Sequence, residues 1–321
     1  MQGIGCTGRL RYVRVMSFLL AHLSDPHLGP LSRPRWRELA SKRGLGYLNW
    51  RRGRGAIHRA DVLLALVEDV LARHPDHIVV TGDLTNLALD SEFAAAAAWL
   101  RRLGDPDRVT VVPGNHDAYL PGALERGLTL WSPWLASDGH EHAHLSAHEL
   151  FPSVRRRGPV ALVGVSTAIA TGPFHASGQV GHQQLEKLGD RLAHLGREGA
   201  FRIVLIHHPL EVERRHWSKR LLDAGALKAT LAMHGAELVL HGHMHVASEH
   251  LAAGHPPAHV IGVPSASADP ARAKTPAGYA LFRIEPSETG WSVTMERRGF
   301  VSPGRIGKLE GKSFAINRLR A

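Results

Sequence analysis

Five clusters of aspartate, histidine and asparagine, each set directly after a short apolar run, constrain this chain more than any other feature. They are Asp25-Pro26-His27, Gly82-Asp83, Gly114-Asn115-His116-Asp117, His207-His208 and Gly242-His243-Met244-His245. The runs before them, at 18–23, 78–81, 109–112, 203–206 and 237–240, are short and, in the middle three, rich in β-branched residues, which favours buried strands. Runs at 160–165 and 259–263 share that character. Helical patterns separate the early strands. The segment 61–73 places Val62, Leu63, Leu66, Val67, Val70 and Leu71 on one face. The alanine-rich segment 91–103 begins at Ser91 as a cap, with Glu92 adding a favourable first-turn charge. Segments 182–195 and 219–234 also read as helices, and 279–284 and 291–295 alternate like antiparallel strands. The expected class is α/β with a β-rich end, as a single domain over 16–321 without internal repeats. Residues 1–15 form a basic extension that need not be native, because Met16 stands just before the first strand.

Composition removes several alternatives. A single cysteine, Cys6, leaves no disulfide framework, cysteine zinc finger or iron–sulfur cluster. No apolar run approaches the ~18 residues of a membrane-spanning helix, and the N-terminus lacks the apolar stretch of a secretory signal. An intracellular, cytoplasmic enzyme is the expectation. The net charge of +10 and a pI near 10.3 favour anionic partners without choosing among phosphates, lipid headgroups and nucleic acid.

Ligands of open α/β sheets gather beyond the carboxyl ends of the strands, which is where all five clusters fall. Their carboxylates and imidazoles suit iron, manganese or zinc. An isolated Asp-x-His is common; five such clusters in this order are specific. The series resembles the calcineurin-like metallophosphoesterase superfamily, whose pattern is D-x-H, G-D, G-N-H-D/E, H and G-H-x-H, and the resemblance spans residues 25–245. It implies a four-layer αββα sandwich of two mixed β-sheets with a dinuclear metal site at the strand ends. Carried across by motif, one metal takes Asp25, His27, Asp83 and His245, and the other takes Asp83, Asn115, His207 and His243, with Asp83 bridging. The ions implied are two divalent or mixed-valence transition metals, iron and manganese first, with zinc also suited. Two such cations roughly 3.5–4 Å apart activate a shared water and clamp an in-line displacement. His116 stands outside the metal shell as the group that protonates the leaving oxygen. Asn86, Asp117 and His208 are candidates for the surrounding shell.

Departures from subfamily patterns narrow the activity. The stretch Gly82-Asp83-Leu84-Thr85-Asn86-Leu87-Ala88 lacks the arginine of protein serine/threonine phosphatases, and Asp117 replaces their glutamate. Asn86 occupies the place of the aspartate that orients the catalytic histidine in those enzymes. The forms His22-Leu23-Ser24-Asp25-Pro26-His27-Leu28 and His207-His208-Pro209 resemble the bacterial class III cyclic-nucleotide phosphodiesterases. A phosphodiester substrate is therefore expected, with cyclic AMP the leading one. A phospholipid or lipid-linked phosphodiesterase or pyrophosphatase, a nuclease and a metal-bound scaffold are the alternatives. All expected ligands are present, which disfavours the scaffold.

The segment 30–59 is strongly basic and interleaved with Trp36, Leu39, Leu45, Tyr47, Leu48 and Trp50. It reads as a solvated insertion or as a lid that meets an anionic membrane surface through residues 33–54, at the inner membrane face. Nucleic acid is the less favoured polyanion, because little chain follows His245 for the additions that repair nucleases carry. Self-association as a homodimer is a further expectation. The histidine-rich stretch Asp138-Gly139-His140-Glu141-His142-Ala143-His144 reads as an exposed loop, and Arg155–Arg157 as a surface charge run.

Overall fold

In the computed structural model, residues 17–31, 34–140 and 146–317 are described. The basic extension with Cys6 and Met16, and residues 141–145 of the histidine-rich stretch, lie outside them. In chain order, the first sheet takes β1 (Phe18–Leu23), β2 (His77–Val80) and β3 (Val109–Val111). The second takes β4 (Ser153–Arg157), β5 (Val160–Gly164), β6 (Phe201–Leu205), β7 (Leu238–His241), β8 (Ser248–Ala252) and β9 (Ala258–Gly262). The chain then returns to the first sheet with β10 (Gly278–Ser287), β11 (Gly290–Ser302) and β12 (Arg305–Asn317). The strand orders are β12-β11-β10-β1-β2-β3 and β4-β5-β6-β7-β9-β8. Both sheets are mixed: β1, β2 and β3 are parallel, as are β5, β6, β7 and β9, and the remaining pairings are antiparallel.

The side-chain period of two decides the layers. In the second sheet Leu162, Ile203, Leu205, Leu238 and Leu240 join the core shared with the first sheet. Their neighbours Ala161, Val163, Val204 and Val239 face the other way, against Leu188, Leu192 and Leu195 of α5 (His182–Arg197) and Leu227 and Leu231 of α6 (Ala224–His234). Phe201 meets Trp291 edge-on at 5.3 Å and ties the sheets together. On the far side of the first sheet lie α2 (Ala60–Ala72), α3 (Asp90–Leu103) and α4 (Ala123–Leu135); α1 (Lys42–Asn49) belongs to the segment after β1. The result is the four-layer αββα sandwich. Each buried leucine or valine in these interfaces contributes about 1.5–3 kcal/mol. No helix among the described residues is long and apolar enough to cross a membrane.

Several local expectations change. The helix expected from 219 begins only at Ala224, because Arg214–Lys219 forms a 3₁₀ turn first. Ser91 does not cap α3. The buried Glu92 carboxylate does so, accepting from the backbone N–H groups of Asn86, Leu87 and Leu89 at 2.7–3.0 Å. Arg155 is not a surface charge: it is fully buried in β4, donating to the carbonyls of Ala136 (2.7 Å), Val109 (3.3 Å), Pro106 and Pro133.

Candidate metal centre

β1, β2, β3, β6 and β7 all end at the same edge of the sandwich, and each motif begins where its strand stops. The turns are tight enough that five of the seven expected ligands adopt left-handed backbone angles: Asp25 (φ 51°), His27 (39°), Asp83 (55°), His243 (68°) and His245 (55°). Such angles cost roughly 1–3 kcal/mol at a non-glycine residue and persist only where surrounding contacts over-determine them. Gly242 makes one of these turns possible, since a Cβ there would overlap Ser24 Oγ and the Asp25 carboxylate.

All seven residues come together and, apart from the partly exposed His245, all are buried. Asp83 lies between two groups. Its Oδ1 accepts from the His116 backbone N–H at 2.8 Å. Its Oδ2 faces His207 Nε2 at 3.4 Å and His27 Nε2 at 3.7 Å. On one side stand Asp25, His27 and His245, with Asp25 Oδ1 3.1 Å from His245 Nε2 and Oδ2 accepting from the His243 backbone N–H at 2.9 Å. On the other stand His207, His243 and Asn115, whose Oδ1 is 3.1 Å from His207 Nε2. Donor atoms of Asp25, His27 and Asp83, and of Asp83, His207 and His243, fall within 4.8 Å of one another in each trio.

Backbone carbonyls set the histidine tautomers. A carbonyl only accepts, so the ring nitrogen it meets must carry the proton. Thr85 fixes His27 Nδ1–H (3.1 Å), Thr81 fixes His207 Nδ1–H (2.7 Å) and Lys219 fixes His243 Nε2–H (3.1 Å). The opposite nitrogens are thereby aimed inward: His27 Nε2 lies 3.3 Å from His245 Nε2, and His243 Nδ1 lies 3.2 Å from His207 Nε2. This outer bonding is how metal-binding imidazoles are oriented. Electrostatics agree. Burial works against charge on His207, yet Asp83 and Asp25 together raise it to about 9. Burial likewise opposes charge on Asp83, but His207, His116 and His27 hold its carboxyl well below the usual range. The donor set thus favours positive charge beside Asp83, and its carboxylates and inward-aimed nitrogens fit two cations sharing Asp83.

His116 Nδ1–H donates to the Asn86 backbone carbonyl at 2.6 Å, so Nε2 is free toward the cavity. Asn86 thus orients His116 through its main chain. Its side-chain amide instead donates to the Leu28 carbonyl at 3.1 Å. Burial, and then the Arg54 charge, bring His116 down to about 4. Asp117 ties the two loops together, accepting from the backbone N–H groups of Leu84, Thr85 and Gly114 and from the Thr85 hydroxyl. His208 bonds Thr167 Oγ1 (2.7 Å) and the Ala176 carbonyl (3.1 Å), and its ring packs against His243 with centroids 4.4 Å apart.

Sequence reasoning missed His58 and Arg54. A ring nitrogen of His58 lies within 4.8 Å of donor atoms of His27 and His245, and its Nδ1 bonds Ser267 Oγ at 2.9 Å. Arg54 Nη2 lies 3.1 Å from His27 Nε2. Their four-residue spacing, one helical turn, was the available sign, hidden among the charges of segment 30–59.

The fold is similar to that of a dimetal phosphatase from Danio rerio, with 14% identity and a TM-score of 0.58 over 94% of this chain and 99% of that one. It is also similar to purple acid phosphatase PPD1 from yellow lupin (Lupinus luteus) seeds, with 12% identity and a TM-score of 0.61 over 94% of this chain and 54% of that one. The chain thus spans about half the length of the lupin enzyme. No curated protein sequence matches it. The sequence profile of calcineurin-like phosphoesterases matches residues 18–247, most of the chain and every motif above, and the chain belongs to that family.

Proposed function

We propose that the chain is a metal-dependent phosphodiesterase, with cyclic AMP as the leading substrate. The observation that carries the metal dependence is Asp83, one carboxylate facing two groups of inward-aimed nitrogens. Asp25, His27, Asp83 and His245 would hold one ion, and Asp83, Asn115, His207 and His243 the other. Ions bound there supply Lewis acidity and lower the pKa of water at the centre. The chain's own residues do the rest. Asp83 and Asp25 neutralise cationic charge, and the carbonyls of Thr81, Thr85 and Lys219 keep the rings in ligating orientation.

His116 faces the reacting group across a cavity of about 330 Å³ whose wall also includes Asp83, Asn115 and His243. With Nδ1–H held by Asn86, Nε2 would first take a proton from solvent as the substrate binds, giving the imidazolium, and then pass that proton to the departing oxygen, returning to the neutral ring. Burial and the Arg54 charge disfavour the imidazolium in the free chain, and an anionic substrate beside the ring would favour it.

The diester preference rests on the motif forms around Asp25 and His207, which resemble class III cyclic-nucleotide phosphodiesterases. The test is a panel of cyclic nucleotides, glycerophosphodiesters, lipid phosphates, nucleic acids and phosphomonoesters. Faster turnover of diesters supports the reading, and a strong monoester preference rejects it while leaving the family intact.

A further inference from the structure

The segment after β1 is fastened at two points, to the loop that follows Asp83 and to residues 267–269. In α1, the buried Arg43 donates to the carbonyls of Leu87 (2.8 Å) and Ala88. At its end, His58 bonds Ser267, while backbone bonds join Arg59 N to Ser267 O (2.9 Å) and Asp269 N to Ile57 O (2.7 Å). Between these anchors the chain turns sharply at Trp50–Arg54 and carries the Arg54 guanidinium inward over His27.

Arg54 differs from the other arginines drawn into this protein. Arg43 and Arg155 are spent on carbonyls, Arg202 on Glu237 and two carbonyls, and Arg298 on Asp69 and Glu296. Among the described residues Arg54 forms no ion pair, and its guanidinium meets only His27 Nε2, whose lone pair a bound metal would take, leaving the fork unspent. It lines both the cavity over the centre and an adjoining one of about 370 Å³ bounded by Lys42, Tyr119 and Phe174. Lys219, half-buried on the inner cavity, adds a second cation there and likewise forms no ion pair among the described residues. A guanidinium cannot ligate a metal, but it presents a planar fork of donors matched to two oxygens of one phosphate.

We propose that Arg54 is the residue that grips the non-bridging oxygens of the substrate phosphate above the centre. This rests on the two-metal reading given above, and it makes the basic segment part of the active site. Lysine would supply the charge without the fork.

The test compares metal-loaded wild type, Arg54→Met and Arg54→Lys, using inorganic phosphate as the probe. Binding is measured by calorimetry and by competition against a chromogenic diester, with metal content determined on the same samples. Arg54→Met should keep its metals and bind orthophosphate about 10–100-fold more weakly, the loss expected for a charge-assisted hydrogen-bonded pair. Arg54→Lys should recover only part of that loss, and KM for the diester should rise in both variants. Unchanged orthophosphate affinity in a metal-replete Arg54→Met chain would overturn the proposal. So would loss of metal from both variants, which would make Arg54 a support of the centre instead. A wild-type chain that takes up no metal would reject the two-metal reading, and the same orthophosphate comparison would still decide the role of Arg54.

Discussion

Gly82→Ala is the substitution for which the structure gives the sharpest expectation. Gly82 has φ +95°, a conformation that an L side chain rarely adopts. An added Cβ would lie 2.7 Å from both His207 Nδ1 and Gly114 N, where ordinary contact begins at 3.4 Å. The shortfall is 3.4 − 2.7 = 0.7 Å on each neighbour, and both lie in a packed interior. His207 is pushed from the Thr81 carbonyl that fixes its tautomer, and Gly114 carries Asn115 with it. Both displaced ligands belong to the second donor group; the strain also reaches the shared Asp83, the next residue, and Asp25, whose N–H donates to the Gly82 carbonyl at 3.1 Å. Overpacking and backbone strain cost roughly 1–3 kcal/mol each. Disturbing the support of a ligating histidine typically weakens metal binding by about 10–100-fold. Chelator-competition titration with zinc or manganese should therefore show the site of His207, Asn115 and His243 weakened by that factor and the other weakened less, with a lowered melting temperature. Weakening of neither site, or greater weakening of the site of Asp25, His27 and His245, would refute the reasoning.

His116→Gln should lower turnover by about 10²–10⁴-fold with both metals retained, and by less for substrates whose leaving group needs no proton. A leaving-group series checks this, and equal losses across it would contradict the proton-donor role. His77, buried in β2 with Nε2 2.7 Å from Thr110 Oγ1, tests acid stability away from the centre. Burial first, then the charges of Arg157 and Arg155, lower it from 6.5 to about 3. Above pH 6.5 the ring is neutral in both states; as the pH falls toward 3, the unfolded chain takes up a proton that the folded ring refuses, and stability drops. At pH 5 that drop is about 2 kcal/mol, from 1.5 pH units at about 1.36 kcal/mol each. Urea unfolding at pH 7 and pH 5 should show His77→Gln losing about that much less than wild type, and identical losses would contradict it.

The clustering of the seven expected ligands and His116 was legible because strand ends are short and their polar residues are local in sequence. The buried strands of the second sheet were legible for the same reason, as continuous apolar runs. What escaped has physical causes. β12 is an edge strand mostly exposed, its first half broken by Gly307, Lys308, Glu310, Gly311 and Lys312, so no sustained apolar alternation marks it. β4 reads Ser-Val-Arg-Arg-Arg, and nothing local reveals that Arg155 points into a cage of carbonyls from distant loops. α4 continues through Pro133, which pattern reading treats as a stop. Arg54 and His58 reach the centre only through the folded path of their segment, clamped to residues 267–269 far away in sequence.

The central claim is that Asp83 serves two metal ions at once. Metal analysis of purified wild type and Asp83→Asn, after equilibration with manganese, iron or zinc and removal of loose ions, tests it directly. Wild type should retain close to two ions per chain, and Asp83→Asn fewer than one, because both sites lose their shared anionic ligand together. A wild-type stoichiometry of one, or an Asp83→Asn chain that still holds two ions, would contradict the claim.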